Sequence, residues 1–168
     1  NLSETVALPG SMDENRKGNE NADNISADYL NRDYVYVGAA TYQRKVEIPE
    51  SWDGKHIELF MERTRKTRVW IDGVQVGSGQ DKSYTTPHIY DLTDYVKAGQ
   101  THTLTVEVDN SPEGMPSTMY STFAENFPWG HMVSEYTQTN WNGILGEIKL
   151  NASPAVYVDS FQVRPDLD

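Results

Sequence analysis

The residues whose side chains could do chemistry are concentrated in one polar stretch near the end of the chain, between positions 134 and 142. It supplies a carboxylate, three amides and an indole, from Glu135, Gln138, Asn140, Trp141 and Asn142. Amides and carboxylates hydrogen-bond to hydroxyl groups, and an aromatic face can stack on a sugar ring. This combination indicates contact with a carbohydrate or with a neighbouring domain. For Trp141 the alternative is that the indole caps the end of a hydrophobic core.

Hydrolysis of a glycosidic bond by this chain alone is not indicated. That reaction requires two carboxyl groups held roughly 5–10 Å apart across the sugar. The acids in the polar loops are Glu113, Glu125 and Glu135, and none of them directly follows an apolar strand that would hold it rigidly. The sequence contains neither a nucleophile elbow nor a phosphate-binding glycine loop. We therefore predict no catalytic residue in this chain.

No metal site and no cofactor is predicted either. The chain has no cysteine, and its four histidines are not paired at the short spacings of zinc sites: His56, His88, His102 and His131. The region from 13 to 24 resembles a calcium-binding loop, but Lys17 stands at a ligand position, so a structural calcium ion is not supported. His102 falls on the apolar side of a strand, where we expect a hydrogen-bonded core residue.

The composition limits the class of protein. Fourteen basic and 25 acidic residues among 168 give a net charge of −11, which argues against nucleic acid as a partner. No apolar run approaches the roughly 20 residues that a membrane-spanning helix needs. The length suits one domain with a sizeable core. Because the chain starts at Asn1 without a methionine, we interpret it as a piece of a longer polypeptide.

Short β-strands are the elements that must position the polar stretch. Apolar and polar residues alternate through 42–48, 57–62 and 102–108, which is the period of a half-buried strand. Asp72-Gly73 between two strand-like runs predicts a tight hairpin, because both turn positions favour positive φ.

Later segments extend the same pattern. Pro87 interrupts a predicted strand over 84–90, which is therefore an edge strand or a bent one. Segments 144–150 and 156–164 are predicted as the last two strands. Trp70 is expected to pack in the core. About seven to nine short strands without a helical stripe predict an antiparallel, all-β sandwich or barrel.

Several motifs, taken in order, resemble the N-terminal sugar-binding domain of glycoside hydrolase family 2, the β-galactosidase and β-glucuronidase group. Leu8-Pro9-Gly10-Ser11 is similar to the opening turn of that domain, and RVWIDGVQVG to its hallmark hairpin, where Asp72-Gly73 replaces the usual Asn-Gly. The other similar segments are TYQRKVEIPESWDGKHIELFMER, PHIYDLTDYVKAGQTHTLTVEVDN, TQTNWNGILGEIKL and VDSFQVRPD. Together they cover nearly the whole chain.

The resemblance implies a jelly-roll β-sandwich of the galactose-binding type, with residues 1–168 as a single domain of a larger multidomain glycosidase. In that family the catalytic carboxylates lie on a separate barrel domain, which follows an immunoglobulin-like domain. Both would be partners of this chain in the same polypeptide. The chain itself would be non-catalytic and would shape the rim of the active site around a carbohydrate. A periplasmic or secreted bacterial protein is expected.

The resemblance also implies which residues contact the substrate. In the family an acid precedes the glycine of the Gly-Ile strand by six residues; here that position is Thr137, with Glu135 and Gln138 close to it. Asn110 matches the asparagine at the family's Val-Asp-Asn close. The predicted substrate-binding residues are Asn110, Glu135, Gln138, Asn140, Trp141 and Asn142. The alternatives to a rim-forming domain are a free-standing lectin-like module and a purely structural bracing domain.

Overall fold

The structure is a computed structural model that describes residues 2, 4–21, 32–83, 85–111, 140–158 and 160–166. In chain order its strands are β1 (Gly10–Ser11), β2 (Asn19–Glu20), β3 (Tyr34–Val35), β4 (Ala39–Glu47), β5 (His56–Met61), β6 (Lys66–Ile71), β7 (Val74–Gln75), β8 (His88–Asp91), β9 (Thr101–Asp109), β10 (Gly143–Ile144) and β11 (Ile148–Ser153). One short 3-10 turn, Glu50–Trp52, is the only helical element of the described ranges. No described helix has the length and apolar character needed to cross a membrane.

Two antiparallel sheets carry most of the strands. One has the order β4-β9-β6-β7 and the other the order β11-β5-β8. Alternate residues of β5, β6 and β9 point between the sheets and are almost fully buried, including Leu59, Val69 and Val106. These side chains form one continuous core, so the fold is an all-β sandwich, as predicted. A jelly-roll path is consistent with this arrangement.

The predicted hairpin at Asp72-Gly73 is confirmed. Both residues have positive φ, 49° and 86°, which matches the twist of the flanking strands β6 and β7. The Asp72 carboxylate accepts hydrogen bonds from the Thr103 amide at 2.7 Å and from Nδ1 of His102 at 2.7 Å. His102 is 6% exposed, and its Nε2 accepts a bond from the Lys97 amide at 3.0 Å. The expectation of a hydrogen-bonded core histidine is therefore confirmed.

Trp70 does not lie in the core, so that prediction was wrong. Its neighbours Val69 and Ile71 are 0% and 2% exposed and point between the sheets. Since successive side chains of a strand point to opposite faces, the half-buried Trp70 lies on the outer face of the four-stranded sheet. Its cross-strand neighbours there are Thr105 and Gln75.

The two strands predicted at the end of the chain differ from the structure. Segment 144–150 is divided between β10, which pairs with β1, and β11, which pairs with β5. Between the two strands, the amides of Leu145 and Gly146 bond to the carbonyls of Arg63 and Glu62. Segment 156–164 was predicted as a strand, but its described residues form none. Val156 is 91% exposed, and no described strand pairs with the backbone of this segment. Its contact with β5 is the stacking of Tyr157 on His56, with ring centroids 4.9 Å apart.

Strand β10 is held in place by a close approach to β1. Gly143 pairs with Ser11, and the Met12 amide donates to the Asn142 carbonyl at 2.8 Å. A Cβ atom on Gly143 would lie 2.4 Å from the Gly10 carbonyl oxygen, and its φ of 144° favours glycine. This contact fixes the backbone that carries the polar residues immediately before β10.

Candidate functional site

Three asparagines form a buried cluster at one end of the sandwich, which we call the amide cluster: Asn110, Asn140 and Asn142. Asn110 follows β9, and the other two precede β10. The three residues are 0%, 1% and 1% exposed. Buried amides are stable only when their donors and acceptors are bonded.

Asn110 joins three parts of the chain. Its Nδ2 donates to the carbonyls of Tyr36 at 2.7 Å and Asn140 at 2.9 Å, while its Oδ1 accepts from the Gly38 amide at 2.9 Å. Nδ2 of Asn140 donates to the Asn110 carbonyl at 3.2 Å in return. The chain positions on either side of segment 112–139 are therefore tied directly to each other.

Asn142 is anchored from β4 and β9. Its Nδ2 donates to the Val108 carbonyl at 2.8 Å and the Gly38 carbonyl at 3.0 Å. Its Oδ1 accepts from the Tyr42 hydroxyl at 2.8 Å. Burial is the main cause that raises the pKa of Tyr42, and the nearby Tyr36 hydroxyl raises it further. The Tyr42 hydroxyl therefore stays protonated and donates at ordinary pH.

Trp141 lies between the two anchored asparagines and is half-buried. The guanidinium carbon of Arg65 is 4.0 Å from the centroid of the Trp141 ring, and Nε of Arg65 donates to the Trp141 carbonyl at 3.3 Å. Arg65 is 1% exposed. A second arginine, Arg32, donates to the adjacent carbonyl of Asn140 at 3.0 Å. The backbone at 140–141 is thus held by two cationic side chains.

A buried lysine, Lys66, contacts the residues on either side of Asn110. Nζ of Lys66, which is 1% exposed, lies 2.9 Å from the Asp109 carboxylate and 3.1 Å from Oγ of Ser111. Burial raises the pKa of Asp109, but hydrogen bonds from Ser111 and Lys66 outweigh it, so this pKa lies below its usual value. The carboxylate is consequently ionised and paired at neutral pH.

The structure brings together four of the six residues predicted to bind substrate. Glu135 and Gln138 lie outside the described residues. The described hydrogen bonds of Asn110 and Asn142 are all made to the chain itself, and Asn140 bonds to Asn110. The side chains of these three asparagines bond mainly to backbone groups and hold the backbone in place. Contact of the asparagines with a substrate stays a prediction.

Sequence reasoning missed the cations at this site. No role was predicted for Arg65 and Lys66, because their partners are distant in sequence: Trp141 is 76 positions from Arg65, and Ser111 is 45 positions from Lys66. The loop acids for which no catalytic role is predicted, Glu113, Glu125 and Glu135, lie outside the described residues. Within the described ranges, no group of three or more histidine or acidic side chains could hold a metal ion.

Comparison with known proteins identifies the family. Residues 1–154 match the family model for the sugar binding domain of glycosyl hydrolases family 2. The chain belongs to this family. The resemblance read from the sequence motifs is therefore confirmed, and so is the interpretation of the chain as a family 2 sugar-binding domain.

Curated relatives of the family 2 domain are much longer than this chain. The β-glucuronidase of Rattus norvegicus is 23% identical over 145 residues, which are 79% of this chain and 22% of that protein. The β-galactosidase of Oenococcus oeni is 24% identical over 131 residues, 77% of this chain and 11% of that protein. The chain thus spans about a fifth or less of these relatives.

Solved structures show the same fold. A β-glucuronidase from glycoside hydrolase family 2 superimposes with a TM-score of 0.64 and 24% identity over 90% of this chain and 15% of that one. The β-D-glucuronidase of Dictyoglomus thermophilum gives a TM-score of 0.57 and 21% identity over 79% of this chain and 24% of that one.

Proposed function

We propose that this family 2 domain is a non-catalytic part of a glycosidase, in which it shapes the rim of an active site that lies on a separate barrel domain. The observation that carries the proposal is the amide cluster, which ties Asn110 to Asn140 and holds Trp141 between two anchored residues. Glycosidases gain from rigidly placed groups around the sugar, because orientation removes part of the entropic barrier.

The residues of this chain have distinct roles in the proposal. The Trp141 indole stacks on a sugar ring, and the side chains of Glu135 and Gln138 bond to its hydroxyl groups. The amide cluster fixes the backbone at Trp141 and helps to exclude water. The nucleophile and the acid/base carboxyl belong to the barrel domain, which together with an immunoglobulin-like domain is the proposed partner in the polypeptide. The names of the relatives support a β-glucuronide or β-galactoside as substrate, and a periplasmic or secreted location remains part of the proposal.

Replacement of Trp141 or Gln138 by alanine in the full-length enzyme tests this function. Each variant should lower kcat/KM several-fold while the protein stays folded, since contacts to the substrate are lost and the core is untouched. Gln43→Ala is the matched control, because Gln43 is an exposed amide on β4. If both rim variants keep the kinetics of the wild type, the rim role is refuted.

The burial of the amide cluster favours a second candidate, a domain that only braces the barrel. The side-chain amides of Asn110 and Asn142 bond within the chain, as a purely structural network would. This alternative predicts that deleting the domain destabilises the enzyme, while Trp141→Ala and Gln138→Ala leave kcat/KM unchanged. A lectin-like module, in contrast, predicts measurable sugar affinity for the domain without the barrel.

A further inference from the structure

We propose that Arg65 is a positioning residue that fixes the plane of the Trp141 indole, so that the ring is oriented to stack on the apolar face of a pyranose. The proposal rests on the rim function proposed above, because it assigns Trp141 to the sugar. Arg65 itself is 1% exposed, so it acts through the indole and not by contact with the ligand.

Backbone pairing brings the two residues together. Thr64, the residue before Arg65, forms an isolated β-bridge with Ile144, and its Oγ1 donates to the Gly143 carbonyl at 2.9 Å. The Leu145 amide also donates to the Arg63 carbonyl at 3.0 Å. The chain before β6 is therefore bonded alongside the chain that follows Trp141, and the contact between Arg65 and Trp141 is set by this register.

Arg65 holds Trp141 at two points. Its guanidinium carbon lies 4.0 Å from the ring centroid, and its Nε donates to the carbonyl of the same residue at 3.3 Å. A planar cation that covers the ring while bonding to the backbone restricts rotation of the indole about its side-chain bonds. Trp141 is half-buried, so part of the residue stays accessible in this orientation.

The residue type supports an orienting role. Burying a charge is unfavourable, and an apolar side chain of similar length would fill the same space without desolvation. A guanidinium is planar and stacks flat on an aromatic ring, whereas an ammonium is a compact charge without a preferred plane. Arg65 therefore contributes a defined ring plane that neither lysine nor methionine would reproduce.

Kinetics of the full-length enzyme provide the first test. The variants are Arg65→Lys, Arg65→Met, Trp141→Ala and the double Arg65→Met/Trp141→Ala, assayed on p-nitrophenyl β-D-glucuronide and the corresponding galactoside. Loss of a stacking surface removes binding that is common to substrate and transition state. We expect each Arg65 variant to raise KM about three- to tenfold with kcat within about twofold of the wild type. The double variant should have the KM of Trp141→Ala alone.

A matched control removes a cation–π contact elsewhere. Nζ of Lys149 lies 5.0 Å from the centroid of the Phe60 ring and is paired with Glu147 at 2.7 Å on the surface. Lys149→Met should leave KM unchanged. If the KM effects of Arg65→Met and Trp141→Ala multiply in the double variant, Arg65 acts independently of the indole and the proposal is overturned.

A spectroscopic signature separates orientation from stability. The near-ultraviolet circular dichroism of Trp141 is obtained as the difference between the wild type and Trp141→Phe. This difference band should shrink in Arg65→Lys and Arg65→Met and persist in Lys149→Met. Retention of the full dichroism band in a folded Arg65 variant overturns the proposal. If Arg65→Met does not fold, the measurement is made on Arg65→Lys alone.

The two readouts distinguish failure of this inference from failure of the proposed function. If Trp141→Ala and Gln138→Ala both leave kcat/KM unchanged, the rim function fails, and the dichroism band alone decides whether Arg65 orients the indole. If Trp141→Ala raises KM but both Arg65 variants have wild-type KM, the rim function stands and the positioning role is refuted.

Discussion

Asn142→Ala is the most informative perturbation of the amide cluster. The side chain is 1% exposed and makes three close hydrogen bonds: to the Val108 and Gly38 carbonyls and from the Tyr42 hydroxyl. Alanine removes all three bonds and leaves the backbone conformation allowed. The change therefore isolates the contribution of the amide to the stability of the domain.

The magnitude follows from the partners that remain. A hydrogen bond contributes about 1 kcal/mol net, and a buried acceptor left without a donor costs about 1–3 kcal/mol. Val108 is 0% exposed, so water does not readily replace the lost donor at its carbonyl. The half-buried Tyr42 recovers part of its loss from solvent. We expect Asn142→Ala to lower the free energy of unfolding by about 3 kcal/mol, and the Tm by about 6–12 °C.

Urea unfolding followed by far-ultraviolet circular dichroism measures this loss. Gln43→Ala removes an exposed amide whose bond among the described residues is to Oγ1 of Thr105 at 3.0 Å, and it should change the free energy of unfolding by about 0.5 kcal/mol or less. A double-mutant cycle of Asn142→Ala with Tyr42→Phe should give a coupling of about 1 kcal/mol. An effect of Asn142→Ala as small as that of the control would refute the reasoning.

Three further changes probe other parts of the site and the hairpin. Gly143→Ala should lower the free energy of unfolding by about 3 kcal/mol in urea titration, because its Cβ would lie 2.4 Å from a carbonyl oxygen of β1. Gly54→Ala is the control, since Gly54 has positive φ but open space around it, and it should lower the free energy of unfolding clearly less. Equal losses in the two variants would contradict the role of the clash. Lys66→Met should cost about 2 kcal/mol at pH 7, since it leaves the Asp109 carboxylate without its buried partner, and a loss that did not shrink below about pH 4 would contradict this pairing. Asp72→Asn tests a carboxyl whose pKa is lowered by the Thr103 amide and then by the buried histidine. Its contribution to stability is present above the unfolded pKa of about 4 and is lost as pH falls through the lower folded pKa, so the variant should flatten that acid limb of the stability curve.

Local patterns in the sequence were sufficient for most of the fold. Strand β9 alternates without interruption, and its structure buries His102, Leu104, Val106 and Val108 on one face. The Asp72-Gly73 turn was predictable because positive φ is a local requirement. Trp70 was placed wrongly because an aromatic residue in a strand was expected in the core, whereas the alternation with its neighbours already put it on the opposite face.

The site was only partly predictable because its contacts are long-range. Asn142 bonds to a carbonyl 104 positions away and Asn110 to one 30 positions away, so no local pattern shows that these amides are buried. The same holds for Arg65, whose partner Trp141 is 76 positions away. Segment 156–164 was predicted as a strand from its own residues, but a strand also requires a partner that the described residues do not supply.

The hydrogen bonds of Asn142 and the pairing of its neighbour Gly143 with β1 have a chemical consequence for the lifetime of the protein. In a flexible chain, the backbone nitrogen of a glycine attacks the side-chain carbonyl of the preceding asparagine, which expels ammonia and forms a cyclic imide. Water then opens the imide to aspartate or isoaspartate. In the folded domain the Asn142 amide is bonded on both sides and Gly143 is paired with β1, so the cyclic intermediate cannot form. Each unfolding event exposes this dipeptide, and an aspartate formed there would face the Val108 and Gly38 carbonyls on refolding. Deamidation at this one bond would therefore convert transient unfolding into permanent loss of the native state.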